Sequence, residues 1–373
     1  ESITEKDDTD KLLSALQDKT KTVVIMTSPA VRVSLGEMFG LNPGEFVAGK
    51  MVSALKKLGA DYVFDVVFGA DLTIMEEASE LIERIKSGNN LPQFTSCCPA
   101  WVKFVETFYP QYIPNLSSCK SPISMQASVI KNYFSKKIGK KPSDIVLVAM
   151  TPCVAKKFEI KREELRGLYG QDTDIMVTVR EMGKLLKKKR IDLNKLTESE
   201  YDKAFPTGSG AGLIFGTSGG VMEAAVRTAY HLTTGQNPPI DLLKFKKLRG
   251  YKDVKTASVN LLNKEVKLCV IFGTASARGV LDKLKTKKDD MIEVMACPNG
   301  CVGGGGQPKQ VDNDTAVTLR GNSLYAQEEK MKSRSSYENL ILKGIYDEFL
   351  MSPLSEKAKK YLHTTYKQRE YSK

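Results

Sequence analysis

Thr22-Val23-Val24-Ile25-Met26-Thr27, closed by Ser28-Pro29 and followed by helical spacing from Val31 to Phe39, is the stretch that decides the fold. A β-rich apolar run, a proline stop and then a 3.6-residue period read as strand, turn and helix. The pattern repeats downstream. Asn42-Pro43 opens an amphipathic stretch to Leu58, Tyr62 to Val67 reads as a strand, and Leu72 to Ile85 as a helix. Strands alternating with helices imply a mainly parallel sheet. Further strands are expected at Gln93 to Ser96, Ile145 to Met150, Ile175 to Val179 and Ile292 to Ala296. Val254 to Leu262 and Val266 to Phe272, on either side of Asn263-Lys264-Glu265, read as a hairpin.

The chain has 373 residues, which exceeds the usual size of a single core, so two lobes are expected. The fold class expected is α/β: two lobes built on mainly parallel sheets flanked by helices, with a site in the cleft between them. Approximate lobe boundaries are 1–140 and 141–320. After Arg320 the sequence turns polar and helical, from Ser323 to Tyr371, and a helical segment over 321–373 should wrap around the main body.

The formal charge is +12, yet the basic residues are scattered in stretches such as Lys187 to Arg190, without interleaved aromatics. This argues against nucleic-acid binding. A positive surface would instead steer a small acidic electron carrier. No run approaches the roughly 18 apolar residues of a membrane span, and Glu1 to Lys11 is too charged for a secretory leader. A cytoplasmic protein is the expectation.

Seven cysteines in such a chain point to thiol or metal chemistry, not to a disulfide framework. Five of them stand in three Pro- and Gly-punctuated segments: Thr95-Ser96-Cys97-Cys98-Pro99-Ala100-Trp101, Thr151-Pro152-Cys153-Val154-Ala155-Lys156-Lys157, and Met295-Ala296-Cys297-Pro298-Asn299-Gly300-Cys301. Each follows a strand pattern, and loops beyond strand ends are where ligands gather in α/β sheets. Cluster ligation usually takes four thiolates, which leaves one cysteine over for another task. Cys119 and Cys269 stand alone and read as structural. His231 and His363 have no ligand spacing and read as surface or satisfied core residues.

Together and in order, these segments resemble the three signature motifs of the iron-iron hydrogenases. The likeness extends to Thr27-Ser28-Pro29, Phe68 to Glu77 and Gly208-Ser209-Gly210-Ala211-Gly212, and runs from about Val23 to Arg369. The C-terminal part, with Tyr346 to Leu350 and Leu362-His363-Thr364, resembles the segment that some members carry as a separate small subunit. Many members also carry a cysteine-rich ferredoxin-like region upstream, and the resemblance leaves room for one before Glu1.

The resemblance implies that Cys98, Cys153, Cys297 and Cys301 hold a 4Fe-4S cluster. Cys301 would also bridge to a two-iron subsite bearing CO, cyanide and an azadithiolate, the whole forming an H-cluster. It implies that Lys156 and the backbone at Pro29 and Ala30 face the cyanides, that Met295 packs against the irons, and that Thr151 borders the cofactor. It further implies a proton relay through Cys97, Glu77, Ser117 and Glu80, with Arg84 at the outer end. Read by spacing alone, Glu77, Glu80 and Arg84 share one helix face, which is usually a solvated one. Four positions depart from the family pattern: Thr151, where well-studied members have Met; Ala30, where Ser is common; Asn299, in place of Gly; and Ala100, where Gly is common.

The implied activity is reversible interconversion of H2 with protons and electrons. The implied partners are a ferredoxin or similar carrier and the maturation proteins of the two-iron subsite. Two alternatives stay open: a slow sensory hydrogenase, whose known members commonly lack the relay cysteine, and a non-catalytic hydrogenase-like iron-sulfur assembly protein.

Overall fold

The computed structural model describes residues 5–205, 208–239, 242, 246–247 (backbone), 253–284 and 289–370. Residues 1–4 and 371–373, the outer ends of the two expected units, lie outside these. The strands are β1 Thr22–Thr27, β2 Tyr62–Asp65, β3 Gln93–Phe94, β4 Ile145–Thr151, β5 Ile175–Thr178, β6 Lys246–Lys247, β7 Val254–Leu261, β8 Lys264–Phe272 and β9 Met291–Met295.

They form two sheets. The first has the order β2-β1-β4-β5 and is parallel throughout, with Val24 opposite both Tyr62 and Leu147. Every residue of β1 is buried, because Val24 and Met26 enter one core beside Phe64 and Ile130 while Val23 and Ile25 enter another beside Val31 and Met51. A strand covered on both faces has to be apolar throughout, which is the run that opened the sequence.

The second sheet, β3-β9-β8-β7-β6, is mixed: β3, β9 and β8 are parallel, and β7 runs antiparallel to both its neighbours. The β7–β8 hairpin turns on Leu262 and Asn263, both at positive φ (54° and 59°), as a two-residue turn with a matching right-handed twist requires. It is shorter than the three-residue loop expected. Cys269 lies buried in β8 against the core of Phe94 and Trp101, a structural position as expected.

Four boundaries differ from the sequence reading. The stretch after Pro29 forms two short 3₁₀ turns, Pro29–Val33 and Leu35–Phe39, and the next α-helix starts only at Ala48. β2 stops at Asp65, because Val67 already begins a long helix. The lobes do not divide at residue 140: β4 and β5 belong to the first sheet, and β3 belongs to the second. Parallel neighbours need crossover connections, so the chain passes between sheets more than once. Likewise the Asn313–Glu328 helix runs across the boundary expected at 320.

The Val67–Ser87 helix leaves the end of β2 and delivers the chain to β3, so it stands between the sheets. It packs on the Pro122–Val129 and Gly220–Thr234 helices. A Cβ at Gly69 would come within 2.3 Å of the Pro122 carbonyl oxygen, so glycine is needed for that approach.

The C-terminal segment is tied to this helix by buried carboxylates. Asp71 accepts from Ser209 N–H (2.8 Å) and Oγ (2.5 Å), Ser336 Oγ (2.8 Å) and Asn339 Nδ2 (2.8 Å). Glu76 accepts from Tyr346 Oη (2.6 Å) and Leu354 N–H (2.9 Å). Further along, Arg369 Nε donates to Glu106 at 2.9 Å. The wrap expected from the sequence is therefore built on hydrogen bonds to the interior.

Removing the Asp71 carboxylate would strand several buried donors, each costly to leave unpaired. Asp71→Ala is expected to lower unfolding free energy by about 3 kcal/mol. Urea denaturation followed by circular dichroism checks this, and an unchanged midpoint would refute the tethering role.

A candidate iron-sulfur site between the sheets

Four parallel strands from two sheets end at one place. β1 runs into Ser28-Pro29-Ala30, β4 ends at Thr151 before Pro152-Cys153, β3 leads to Cys97-Cys98, and β9 leads to Cys297 and Cys301. Between these ends lies a cavity. Its wall includes all five motif cysteines together with Pro29, Ala30, Thr151, Lys156 and Met295. Every cluster-ligating and cofactor-facing residue singled out from the sequence is thus brought to one cavity. Phe215, Gly216, Val66 and Ile123 also line it and were not anticipated; the Gly208–Gly212 motif just upstream was the sequence signal nearest to Phe215.

Two tests of fit bear on the cysteines. A single zinc-type ion holds sulfurs at about 2.3 Å, which requires them to crowd together. Among the described residues, the one group of three or more candidate ligands lying within 4.8 Å of one another is Glu80, Cys119 and His363, elsewhere in the protein. The motif thiols are therefore spread around the cavity, as a polynuclear cluster requires. Burial, reinforced by the neighbouring thiols, pushes Cys153 up to about 12 and Cys301 well above the ordinary thiol range. Iron ligation there has to displace protons.

The loops are pinned close to their ligating atoms. Thr151 Oγ1 accepts the Cys153 N–H at 2.8 Å, and Gly306 N–H donates to the Pro152 carbonyl at 2.7 Å. A Cβ at Gly304 would lie 2.4 Å from that same carbonyl oxygen. Asn299, the departure from the family's glycine, sits at φ 56°, a left-handed conformation that asparagine tolerates. Lys156 is buried, and its ammonium donates to the Cys97 carbonyl (3.0 Å) and to Glu159 (2.7 Å). Burial alone would lower this amine; Glu159 and the surrounding thiols outweigh burial and raise it, so it stays charged. Two of its three protons are engaged, leaving one to donate into the cavity.

Behind Cys97 stands a file of polar groups. Glu77 is buried, and neither carboxylate oxygen has a hydrogen-bond partner. Burial, with the Glu80 charge adding to it, pushes Glu77 up to about 8. Ser117 Oγ donates to Glu80 at 2.7 Å, and Arg84 Nη2 donates to Glu80 at 2.7 Å. Arg84 is also fastened to the Asn90, Asn115 and Leu116 carbonyls. The usual solvated-face reading of Glu77, Glu80 and Arg84 is therefore wrong here, because the loop at 115–118 packs its hydroxyls and carbonyls against that face.

Sequence reasoning missed a second set of groups beside Glu80. Ser118 Oγ lies 2.7 Å from His363 Nδ1, and His363 Nε2 lies 2.9 Å from Glu76. His363 is thus a satisfied core histidine, one of the two readings expected. His231 stacks on Tyr337 with ring centroids 3.7 Å apart.

Residues 21–305 match the family described as iron only hydrogenase large subunit, C-terminal domain, and residues 314–369 match iron hydrogenase small subunit. The chain belongs to the iron-only hydrogenase family. It is 41% identical to the NADP-reducing hydrogenase subunit HndD of Solidesulfovibrio fructosivorans over 96% of its own length, and spans 62% of that relative. It is 32% identical to Protein NAR1 of Arabidopsis thaliana, covering 97% of this chain and 81% of the relative. A solved structure of an FeFe-hydrogenase HydA1 variant from Chlamydomonas reinhardtii superposes with TM-score 0.89 at 37% identity, covering 98% of this chain and all (100%) of that one. Mainly parallel sheets flanked by helices are common to both. Among the described residues no helix is long and apolar enough to cross a membrane.

The unpartnered Glu77 carboxyl generates a pH signature. Its native value of about 8 lies above the ordinary 4.5, so the unfolded chain ionises first. Stability from this group is complete below the ordinary value and is lost as pH rises towards 8, by up to about 1.4 kcal/mol per pH unit. Glu77→Gln carries no such term and should gain on the wild type steadily from about pH 5 to pH 8. Urea midpoints of both proteins across that range check it; a pH-independent difference would show that Glu77 is not buried as a neutral acid.

Proposed function

We propose that this member of the iron-only hydrogenase family is a hydrogenase, interconverting H2 with protons and electrons at an H-cluster. Cys98, Cys153, Cys297 and Cys301 would hold its 4Fe-4S part, with Cys301 also bridging to a two-iron subsite carrying CO, cyanide and an azadithiolate. When bound, that group supplies the redox chemistry with H2 and the protein supplies its surroundings.

The supporting observation is the Cys97 thiol in the cavity wall with a neutral, unpartnered Glu77 behind it. A thiol and a protonated carboxyl can each donate and accept, so both suit proton transfer between the cavity and Ser117 and Glu80. Arg84 holds Glu80 in place at the outer end. Lys156 would donate its remaining proton to a cyanide, which a dry site has to satisfy. The backbone at Pro29 and Ala30 would face the other cyanide, and Met295 would pack against the irons. Thr151 would act through Cys153, by fixing the N–H of that ligand.

The partners proposed are a ferredoxin-type electron carrier, drawn by the net charge of +12, and maturation proteins for the two-iron subsite. The setting proposed is cytoplasmic. The likeness to a cytosolic iron-sulfur assembly component 3 of Bos taurus, 30% identical over 95% of this chain, favours a second reading, an iron-sulfur assembly protein without the two-iron subsite. A slow sensory hydrogenase is a variant of the first reading, and the presence of Cys97 weighs against it.

Infrared spectra of anaerobic, matured protein should contain metal-bound CO and cyanide bands that shift under H2. Their absence from a sample with an intact 4Fe-4S cluster would leave the assembly reading. Cys97→Ala should keep the bands yet evolve H2 at least about 100-fold more slowly, the scale of a lost proton-transfer group. Turnover that survives in this variant would remove Cys97 from the relay.

A further inference from the structure

Three potential metal ligands converge at the outer end of the Glu77–Glu80 file. A carboxylate oxygen of Glu80, the Cys119 sulfur and a ring nitrogen of His363 all lie within 4.8 Å of one another, and Cys119 Sγ is 3.8 Å from Glu80 Oε2. They come from three separate parts of the chain: the Val67–Ser87 helix, the loop that precedes the Pro122–Val129 helix, and the C-terminal segment. An antiparallel bridge between Cys119 and His363 fixes the last two, with Thr364 N–H bonded to the Ser118 carbonyl (2.8 Å) and Lys120 N–H to that of Leu362 (2.9 Å). We propose that Glu80, Cys119 and His363 form a site for a zinc-type divalent cation, and that an ion bound there stops proton movement through Glu80.

The ligand chemistry is selective. One sulfur, one imidazole and one carboxylate suit a borderline-soft ion, not magnesium or calcium. Zinc bonds of about 2.0–2.3 Å place ligand atoms under about 4 Å apart, which these side chains reach by small rotations. Histidines that bind metal usually donate their second ring N–H to a carboxylate, and His363 Nε2 is already 2.9 Å from Glu76. Its Nδ1 faces the Ser118 hydroxyl, which is 3.3 Å from Glu80 Oε1, so that hydroxyl marks the space an ion would take. The Glu80 and His363 side chains keep 12% and 7% of their surface exposed, which gives an entry route.

Glu80 is also the acceptor for Ser117 and the partner of Arg84. An ion on its carboxylate removes the oxygen that Ser117 addresses and adds positive charge where a proton has to pass. This arrest rests on the hydrogenase reading; the binding does not.

Zinc binding is therefore measured first on protein carrying its iron-sulfur cluster, by competition with a chromophoric chelator and by zinc-edge X-ray absorption. One equivalent with a single sulfur and otherwise nitrogen and oxygen ligands is expected, weakened at least tenfold in both His363→Gln and Cys119→Ala, each of which should keep the cluster's absorption. An all-sulfur shell, no bound equivalent, or equal binding in both variants would overturn the site. In matured enzyme, zinc should slow H2 turnover at least tenfold in the wild type and leave His363→Gln unaffected. Binding as described with full turnover would overturn the arrest alone. If the CO and cyanide bands never form, the hydrogenase reading fails and the binding result still decides the site.

Discussion

A carboxylate taken out of water has to be partnered or protonated, and the Val67–Ser87 helix meets that constraint in two opposite ways. Asp71 and Glu76 are completely buried and surrounded by donors drawn from residues 209–363. They use their burial to bind the C-terminal segment to the interior. Glu77, next in the chain, is equally buried and has no partner, so it keeps its proton towards pH 8. One turn on, Glu80 is ionically paired with Arg84 and reached by two hydroxyls. Along this single helix the first two acids hold the fold together and the next two lie between the cavity and the loop that carries Ser117.

The same helix joins the two sheets whose strand ends line the cavity. Starting at the end of β2 and finishing before β3, it packs Phe68 and Leu72 into the core of the first sheet and Ala78, Leu81 and Ile85 into that of the second. The apolar residues Ala70, Phe215 and Met295 give the cavity a dry wall. Into that wall come thiols on loops whose backbones are held by Thr151, Gly304 and Gly306. Ligands placed by short, hydrogen-bonded loops at strand ends are positioned more narrowly than ligands on free loops.

The four departures from the family pattern fare differently. Asn299 is explained by its left-handed backbone, and Thr151 by the hydrogen bond it gives the Cys153 turn. Ala30 has its carbonyl occupied by Ser34 and Gln307 and stands in the cavity wall without a side-chain hydroxyl. Nothing in the structure explains Ala100.

By itself the sequence determined the strand-and-helix alternation, the apolar run of β1, the hairpin, and the five cysteines in three ordered motifs that resemble a known family. All of these are local: a period of 2 or 3.6, or a motif within seven residues, leaves its mark on neighbouring positions. Only the tertiary structure decided that β4 and β5 join the first sheet, that Glu77 is left without a partner, and that His363 arrives beside Glu80 and Cys119. Those outcomes depend on groups far apart in the chain, such as Glu76 and His363. Whether a carboxylate stripe faces water or protein is set by what packs over it, and no periodicity along one helix records that.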